Sequence, residues 1–210
     1  MEDAGETQIS LTDPDSRSMP LAGGPRTQVA YNVQISVDEK HELILEHEIT
    51  NKVADRNLLS QRAKRTKEAL DMDELEVLAD MGYYDGQQVK DCLKEGITPY
   101  IPKVDTSANK ELGLFGKSDF NYDPEQDCYW CPAGQMLTFR FQTIEKDREI
   151  KYYASSACSQ CQIREQCTRS KDGRRIIRWV DEDLLDEMER RVQENPERAC
   201  PERSRRDEVA

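Results

Sequence analysis

"VLADMGYYDGQQVKDCLKEGITPYIPK", Val77–Lys103, decides the fold class, because it sets two short apolar runs on either side of one helical period. Read with Leu75 and Glu76, the run "LEVLA" is nearly continuous in apolar residues and stops at Asp80, which predicts a strand buried on both faces with an acidic C-terminal end. Val89, Cys92 and Leu93 then fall at i, i+3 and i+4, and Gly96 stands where a helix places its C′ residue. "TPYIP" supplies the next brief strand.

Upstream, the odd positions Val29, Tyr31, Val33, Ile35 and Val37 are apolar while Asn32, Gln34 and Ser36 are polar, the period-two pattern of a half-buried strand. Asp38–Lys40 form a polar turn, and "ELILEHEI", Glu42–Ile49, provides a second strand with Leu43, Leu45 and Ile49 on one face, so the two read as a hairpin. Leu59, Ala63, Thr66 and Leu70 follow at helical spacing, with Asp55 placed to cap that helix. The alternation predicts an α/β chain, a mixed sheet flanked by helices. Met1–Thr27, with Pro14, Pro20, Pro25 and Gly23–Gly24, read as a loop or disordered segment. Residues 28–105 are then the core, 106–180 a cysteine-rich and locally basic insertion, 181–197 an amphipathic helix built on Leu184, Leu185, Met188 and Val192, and 198–210 an unrelated tail without apolar period.

Charged residues make up 34% of the 210 residues and the net charge is -12, which argues against a surface that is basic throughout. The basic charge is local: Phe139–Arg178 carry ten Lys/Arg against five Asp/Glu, net +5, so the remainder carries -17. No apolar run approaches the roughly 18 residues of a membrane span, and "MEDAGETQIS" has neither the basic start nor the apolar stretch of a signal peptide. A cytoplasmic protein without membrane partners is the expectation. Seven cysteines, an odd number, then read as thiols or metal ligands rather than a disulfide framework.

Cys158-x2-Cys161 has the spacing of a zinc knuckle, Cys167 follows after five residues, and Cys131, or alternatively Cys128, supplies a fourth thiolate from across the strand-like "MLTFRFQTI". Four soft ligands would close a tetrahedral structural Zn²⁺ site and add folding energy to a polar segment; the plainer reading is a set of reduced thiols. Arg164, Arg169, Lys171, Arg174 and Arg175 surround this cluster and offer contacts to a phosphate backbone, or simply solvated charge. Asp13 and Asp15 flank Pro14 as turn formers, and Arg17 beside them is a further candidate phosphate contact. Asp80, at the carboxyl end of a strand, is either a metal-holding carboxylate at a cleft or the cap of a turn.

The block Val77–Lys103 resembles the second-aspartate block of bacterial insertion-sequence transposases of the DDE type, an apolar strand followed by A-D-x-G-Y. "LTDPDSRSM" (Leu11–Met19), "AYNVQISVD" (Ala30–Asp38) and "HEITNKVADRNLL" (His47–Leu59) resemble, in order, the blocks before it, and "YDPEQDCYWCPAGQ" and "CSQCQIREQCT" the cysteine segment after it. The resemblance spans about Leu11–Asn195. It implies an RNase H-like fold in which three carboxylates hold two Mg²⁺ ions that activate water or a 3′-hydroxyl for attack on a DNA phosphodiester. Asp80 matches the second carboxylate. No segment resembles the first, I-D-G-T, or the third, V-E-x-x-F-G, and "RACPERSRRDEVA" stands where the third would be. The expectation is therefore a transposase fragment, truncated at both ends and catalytically incomplete, with insertion-sequence DNA as partner and a homodimer as its compatible assembly. The alternative is a zinc-stabilised nucleic-acid or protein-binding module without catalysis.

Overall fold

The computed structural model describes residues 10–21, 25–103 and 108–198. In chain order the elements are β1 (Arg17–Pro20), β2 (Thr27–Ala30), β3 (Asn32–Val37), β4 (Ile44–Thr50), α1 (Leu59–Ala69), β5 (Leu75–Leu78), α2 (Gly86–Lys94), β6 (Ile97–Tyr100), α3 (Ala108–Glu111), β7 (Asn121–Asp123), β8 (Cys128–Trp130), β9 (Met136–Glu145), β10 (Arg148–Ala154), α4 (Arg164–Cys167), β11 (Arg175–Trp179) and α5 (Glu182–Glu194). The chain is mixed α/β. It divides into two compact units, one running to Lys103 and resuming at Leu184, the other Val104–Asp183.

In the first unit, β5 and β6 pair in parallel with Leu75 opposite Ile97 and Leu78 opposite Tyr100, joined by α2. The Asp85 carboxylate accepts the backbone N–H groups of Gln87 and Gln88 at 2.9 and 3.2 Å and so caps α2. The helix ends on Gly96, whose φ of +68° suits a residue without Cβ; a Cβ there would also meet the Asp73 carbonyl at 3.2 Å. Val89 and Cys92 of α2, Leu59 and Ala63 of α1, Ile97, Ile101 and Met188 of α5 form its core. The strand β5 is not buried on both faces: Glu76 is exposed and accepts the Tyr100 hydroxyl at 3.0 Å. The fully covered strand is β6, with Ile97, Pro99 and Tyr100 buried.

The hairpin of β3 and β4 forms, with Val33 opposite Ile49 and a bulge between Ser36 and Val37, but its faces are reversed from the sequence expectation. Val33, Ile35 and Ile49 are 60%, 52% and 64% exposed, whereas Gln34 is 4% exposed. The polar face turns inward because Gln34 and Ser36 on it, and Arg62 packed against it, find side-chain partners, which offsets much of the desolvation, although Arg62 Nε is buried without a hydrogen bond. Gln34 donates to Asn32 and Asp55 at 2.8 Å each and accepts from the Tyr83 hydroxyl, and Ser36 accepts from Thr66 at 2.7 Å. Arg62, 7% exposed, is paired with Glu46 and with Glu48. Two further expectations change. The predicted strand Val29–Val37 is two strands broken at Tyr31, and β2 pairs antiparallel with β1, so Arg17–Pro20 is not loop. Among the described residues the strands of this unit make three separate two-stranded sheets rather than one mixed sheet.

The second unit holds a five-stranded antiparallel sheet in the order β11-β10-β9-β8-β7, where the sequence reading saw only an insertion. The β9–β10 hairpin turns on Lys146 and Asp147 alone, with φ of 49° and 60°. Its core is Phe120, Tyr129, Leu137, Tyr153 and Ile176, with the Tyr129 and Tyr153 rings edge-on at 5.2 Å. Three donors converge on Asp127 beside that core: Tyr153 at 2.6 Å, Tyr122 at 2.7 Å and Lys151 at 3.0 Å. No helix among the described residues is long and apolar enough to cross a membrane.

Candidate functional site

Asp80 follows the end of β5 by two residues. The ladder runs on to Ala79, whose N–H reaches the Tyr100 carbonyl at 3.1 Å, and Asp80 then leaves the sheet exposed, with φ -73° and ψ 172°. Its carboxylate accepts the Gly82 N–H at 2.7 Å, capping a 3-10 turn over Met81–Tyr83. Of the two sequence readings of this residue, the geometry is that of the turn cap, set just past a strand end. Asp55, which sequence reasoning placed only as a helix cap, stands beside it: a Cβ on Gly82 would lie 2.9 Å from Asp80 Oδ1 and 3.7 Å from Asp55 Oδ2. Asp55 does not cap α1, whose start at Leu58 has no side-chain cap. Instead its Oδ1 accepts Asn32 Nδ2 at 2.7 Å and Gln34 Nε2 at 2.8 Å, which aims the other oxygen toward Gly82. Burial, and after it the Asp55 and Asp80 charges, raises the Tyr83 hydroxyl above the usual phenol range, so Tyr83 remains a hydrogen-bond donor to Gln34.

In the second unit Cys131, Cys158, Cys161 and Cys167 all line one cavity of about 20 Å³, together with Phe115, Phe120 and Arg174. Cys128 is not among the lining residues; it is buried in β8. Cys92 lies in the core of the first unit, where burial, then the Asp91 charge, pushes its thiol up to about 12. The Cys131 sulfur accepts the Gln135 N–H at 3.3 Å across the turn "CPAGQ", and Cys158 opens toward Cys161 through a 3-10 turn, Ser156–Gln160. Gly173, at φ +87°, allows this packing: a Cβ on it would lie 2.7 Å from Cys158 Cβ. Burial raises the Cys167 thiol, the Arg174 guanidinium opposes that shift, and the Cys158, Cys131 and Cys161 sulfurs add to it. Among the described residues no group of three or more His, Cys, Asp or Glu side chains is drawn together as a metal site.

The six candidate phosphate contacts separate into two kinds. Arg17 donates to the carbonyls of Pro14 and Ser16 at 3.0 and 2.9 Å, and Arg164 to those of Ser170 and Lys171 at 3.0 and 2.9 Å. Arg174 lies over the Phe120 ring at 5.4 Å. Arg169, Lys171 and Arg175 are exposed. The structure brings Arg164 and Arg174 to the cysteine cavity and leaves three cations outward.

A family model described as the transposase DDE domain matches residues 130–210. The resemblance to DDE-type transposases is thereby shown. The transposase match takes in the four cavity cysteines and all the cations above except Arg17, and it runs through residues 198–210, which the sequence reading had set apart; it does not reach Asp55 or Asp80. No curated protein matches the chain, and no solved structure does.

Proposed function

We propose that the chain is part of a DDE-type transposase with an RNase H-like core, that it acts on DNA in a divalent-metal reaction, and that Asp80 is one of its metal-holding carboxylates. The observation that carries this reading is the transposase DDE match over residues 130–210, on the same chain and in the same order as the A-D-x-G-Y-like block around Asp80. The parallel β5–α2–β6 unit supports it, since ligands of open α/β sheets gather at the carboxyl ends of strands, where Asp80 emerges.

Two Mg²⁺ ions need several converging carboxylates. Asp80 and Asp55 make two, and among the described residues no third donor joins them, so the donor set does not complete that site and no chemical step is derived through it. What the two carboxylates offer is weak capture of one hard cation at an exposed strand end. Mn²⁺ titrated into the chain is expected to broaden the NMR signals of Asp55, Asp80 and Gly82 selectively, and Asp80→Asn to abolish this. Uniform or absent broadening removes Asp80 from metal holding. The chain with Mg²⁺ is expected to bind duplex DNA at low salt without nicking it. Neutralising Arg169, Lys171 and Arg175 together should weaken binding and flatten its salt dependence by about one unit per lost phosphate contact. Asp80-dependent nicking would show a complete site, and salt-independent or absent binding would remove DNA as the partner. The cysteine cavity favours one second reading, a zinc-stabilised binder without catalysis, in which Asp80→Asn leaves every measurable property of DNA binding and metal response unchanged.

A further inference from the structure

We propose that Cys131, Cys158, Cys161 and Cys167 hold a single zinc ion as four thiolates, and that the half-buried Arg174 is the counter-charge of that site. This stands on the second unit alone and does not depend on the transposase reading. The four sulfurs come from three separate segments, the turn after β8, the 3-10 turn after β10, and the end of α4, yet all face one cavity. Its volume of about 20 Å³ exceeds the roughly 10–15 Å³ that admits one water, so it has room for one ion. All four are free cysteines.

Zinc–sulfur bonds of about 2.3 Å require the thiolates to draw inward around the ion. Each sits on a turn or a short helix rather than inside a long strand, so that contraction asks little of the sheet. The Gln135 N–H already donates to the Cys131 sulfur, as outer-shell donors do to metal-bound thiolates.

Arg174 supplies the second, independent observation. Its Nε is buried with no hydrogen-bond partner, an expensive arrangement for a cation unless an anion lies close by. The Asn109 side-chain oxygen serves the two terminal nitrogens, and the Asp119 carboxylate, which accepts the Gly116 N–H at 2.7 Å, acts on the guanidinium by its charge alone, so Nε itself stays without a partner. Four neutral thiols give the guanidinium nothing. A tetrathiolate zinc centre carries a net charge of -2 and places that charge in the cavity Arg174 lines. The metal would also add to the stability of the five-stranded sheet beyond its cluster of Phe120, Tyr129, Leu137, Tyr153 and Ile176, because structural zinc contributes folding energy directly.

The test uses the full chain, purified under reducing conditions without a histidine tag. Zinc analysis is expected to find about one ion per chain, and Co²⁺ exchanged for it to show the visible bands of tetrahedral thiolate cobalt. Cys161→Ser and Cys167→Ser should lose the ion or weaken its binding, while Cys92→Ser and Cys128→Ser keep its stoichiometry. Chelator competition should show about tenfold weaker zinc binding in Arg174→Gln, with Arg174→Lys recovering most of it. A folded wild-type chain free of metal overturns the site, as does iron with acid-labile sulfide, or cobalt bands lacking thiolate character. Unchanged zinc affinity in Arg174→Gln overturns the counter-charge.

Discussion

Gly82 leaves room for two carboxylates. Its own backbone is ordinary, but a Cβ would stand 2.9 Å from Asp80 Oδ1, so Gly82→Ala forces that carboxylate away from the Gly82 N–H. The expected cost is about 1 kcal/mol in urea unfolding, with weaker Mn²⁺ broadening at Asp55; an unchanged midpoint and unchanged broadening would show that the carboxylates need no such space. Asp127 sets the acid side of stability. Burial raises its carboxyl, yet the hydrogen bonds from Tyr153, Tyr122 and Lys151 prevail and hold it below the usual carboxylate range. A depressed folded value means the contribution is present above the ordinary carboxylate pKa and disappears as pH falls through the folded one. Tyr122, pushed up to about 12 by burial and then by its bond to Asp127, behaves in the opposite sense, contributing below the ordinary phenol value and losing that contribution as pH rises toward 12. Asp127→Asn should therefore flatten the urea midpoint against pH on the acid side and also lower the alkaline onset. Parallel profiles for the two proteins would contradict this.

At the scale of elements, two cases decide how the hairpins are held. The β9–β10 turn puts Lys146 and Asp147 in the left-handed region, as a type I′ turn requires, with neither the Asn-Gly nor the Asp-Gly that usually signals one. Without that signal the hairpin was invisible in the sequence, and with it the five-stranded sheet. Lys146→Asn with Asp147→Gly is expected to stabilise the chain by about 1 kcal/mol, read as a higher urea midpoint; a lower midpoint would mean the native side chains do more than tolerate the turn. In the β3–β4 hairpin the two strands were legible from period two, while the register and the buried face were not. Periodicity marks two faces but does not say which one packs, and here α1 presents Arg62 and Thr66 to the polar one. Arg62→Met leaves Glu46 and Glu48 against α1 with Arg65 the remaining cation near Glu48, and should cost about 3 kcal/mol. A neutral or stabilising result would show that the pair serves specificity rather than stability.

On the scale of the whole molecule, two units carry two separate cores, and a metal in one of them predicts a local response. Removing zinc with a strong chelator should abolish amide-exchange protection at Tyr153 and Ile176 and leave it at Val89, Cys92 and Ile97. Uniform loss across both cores would contradict a site confined to the second unit. The acidic total of -12 with a +5 segment at Phe139–Arg178 belongs to this scale as well, since the exposed Arg169, Lys171 and Arg175 lie in that segment while Arg174 is spent inward. By itself the sequence determined what is local: the Gly96 end of α2, the span of α5, the pairing of β3 with β4, the strand end at Asp80, and the spacing of Cys158 and Cys161, because each is written in residues a few positions apart. Only the tertiary structure decided that Gln34 is buried, that Asp55 lies beside Asp80, and that Cys131 rather than Cys128 faces the cavity. Those choices depend on which partners, tens of residues away, satisfy a buried polar group or share a void, and no local pattern encodes that.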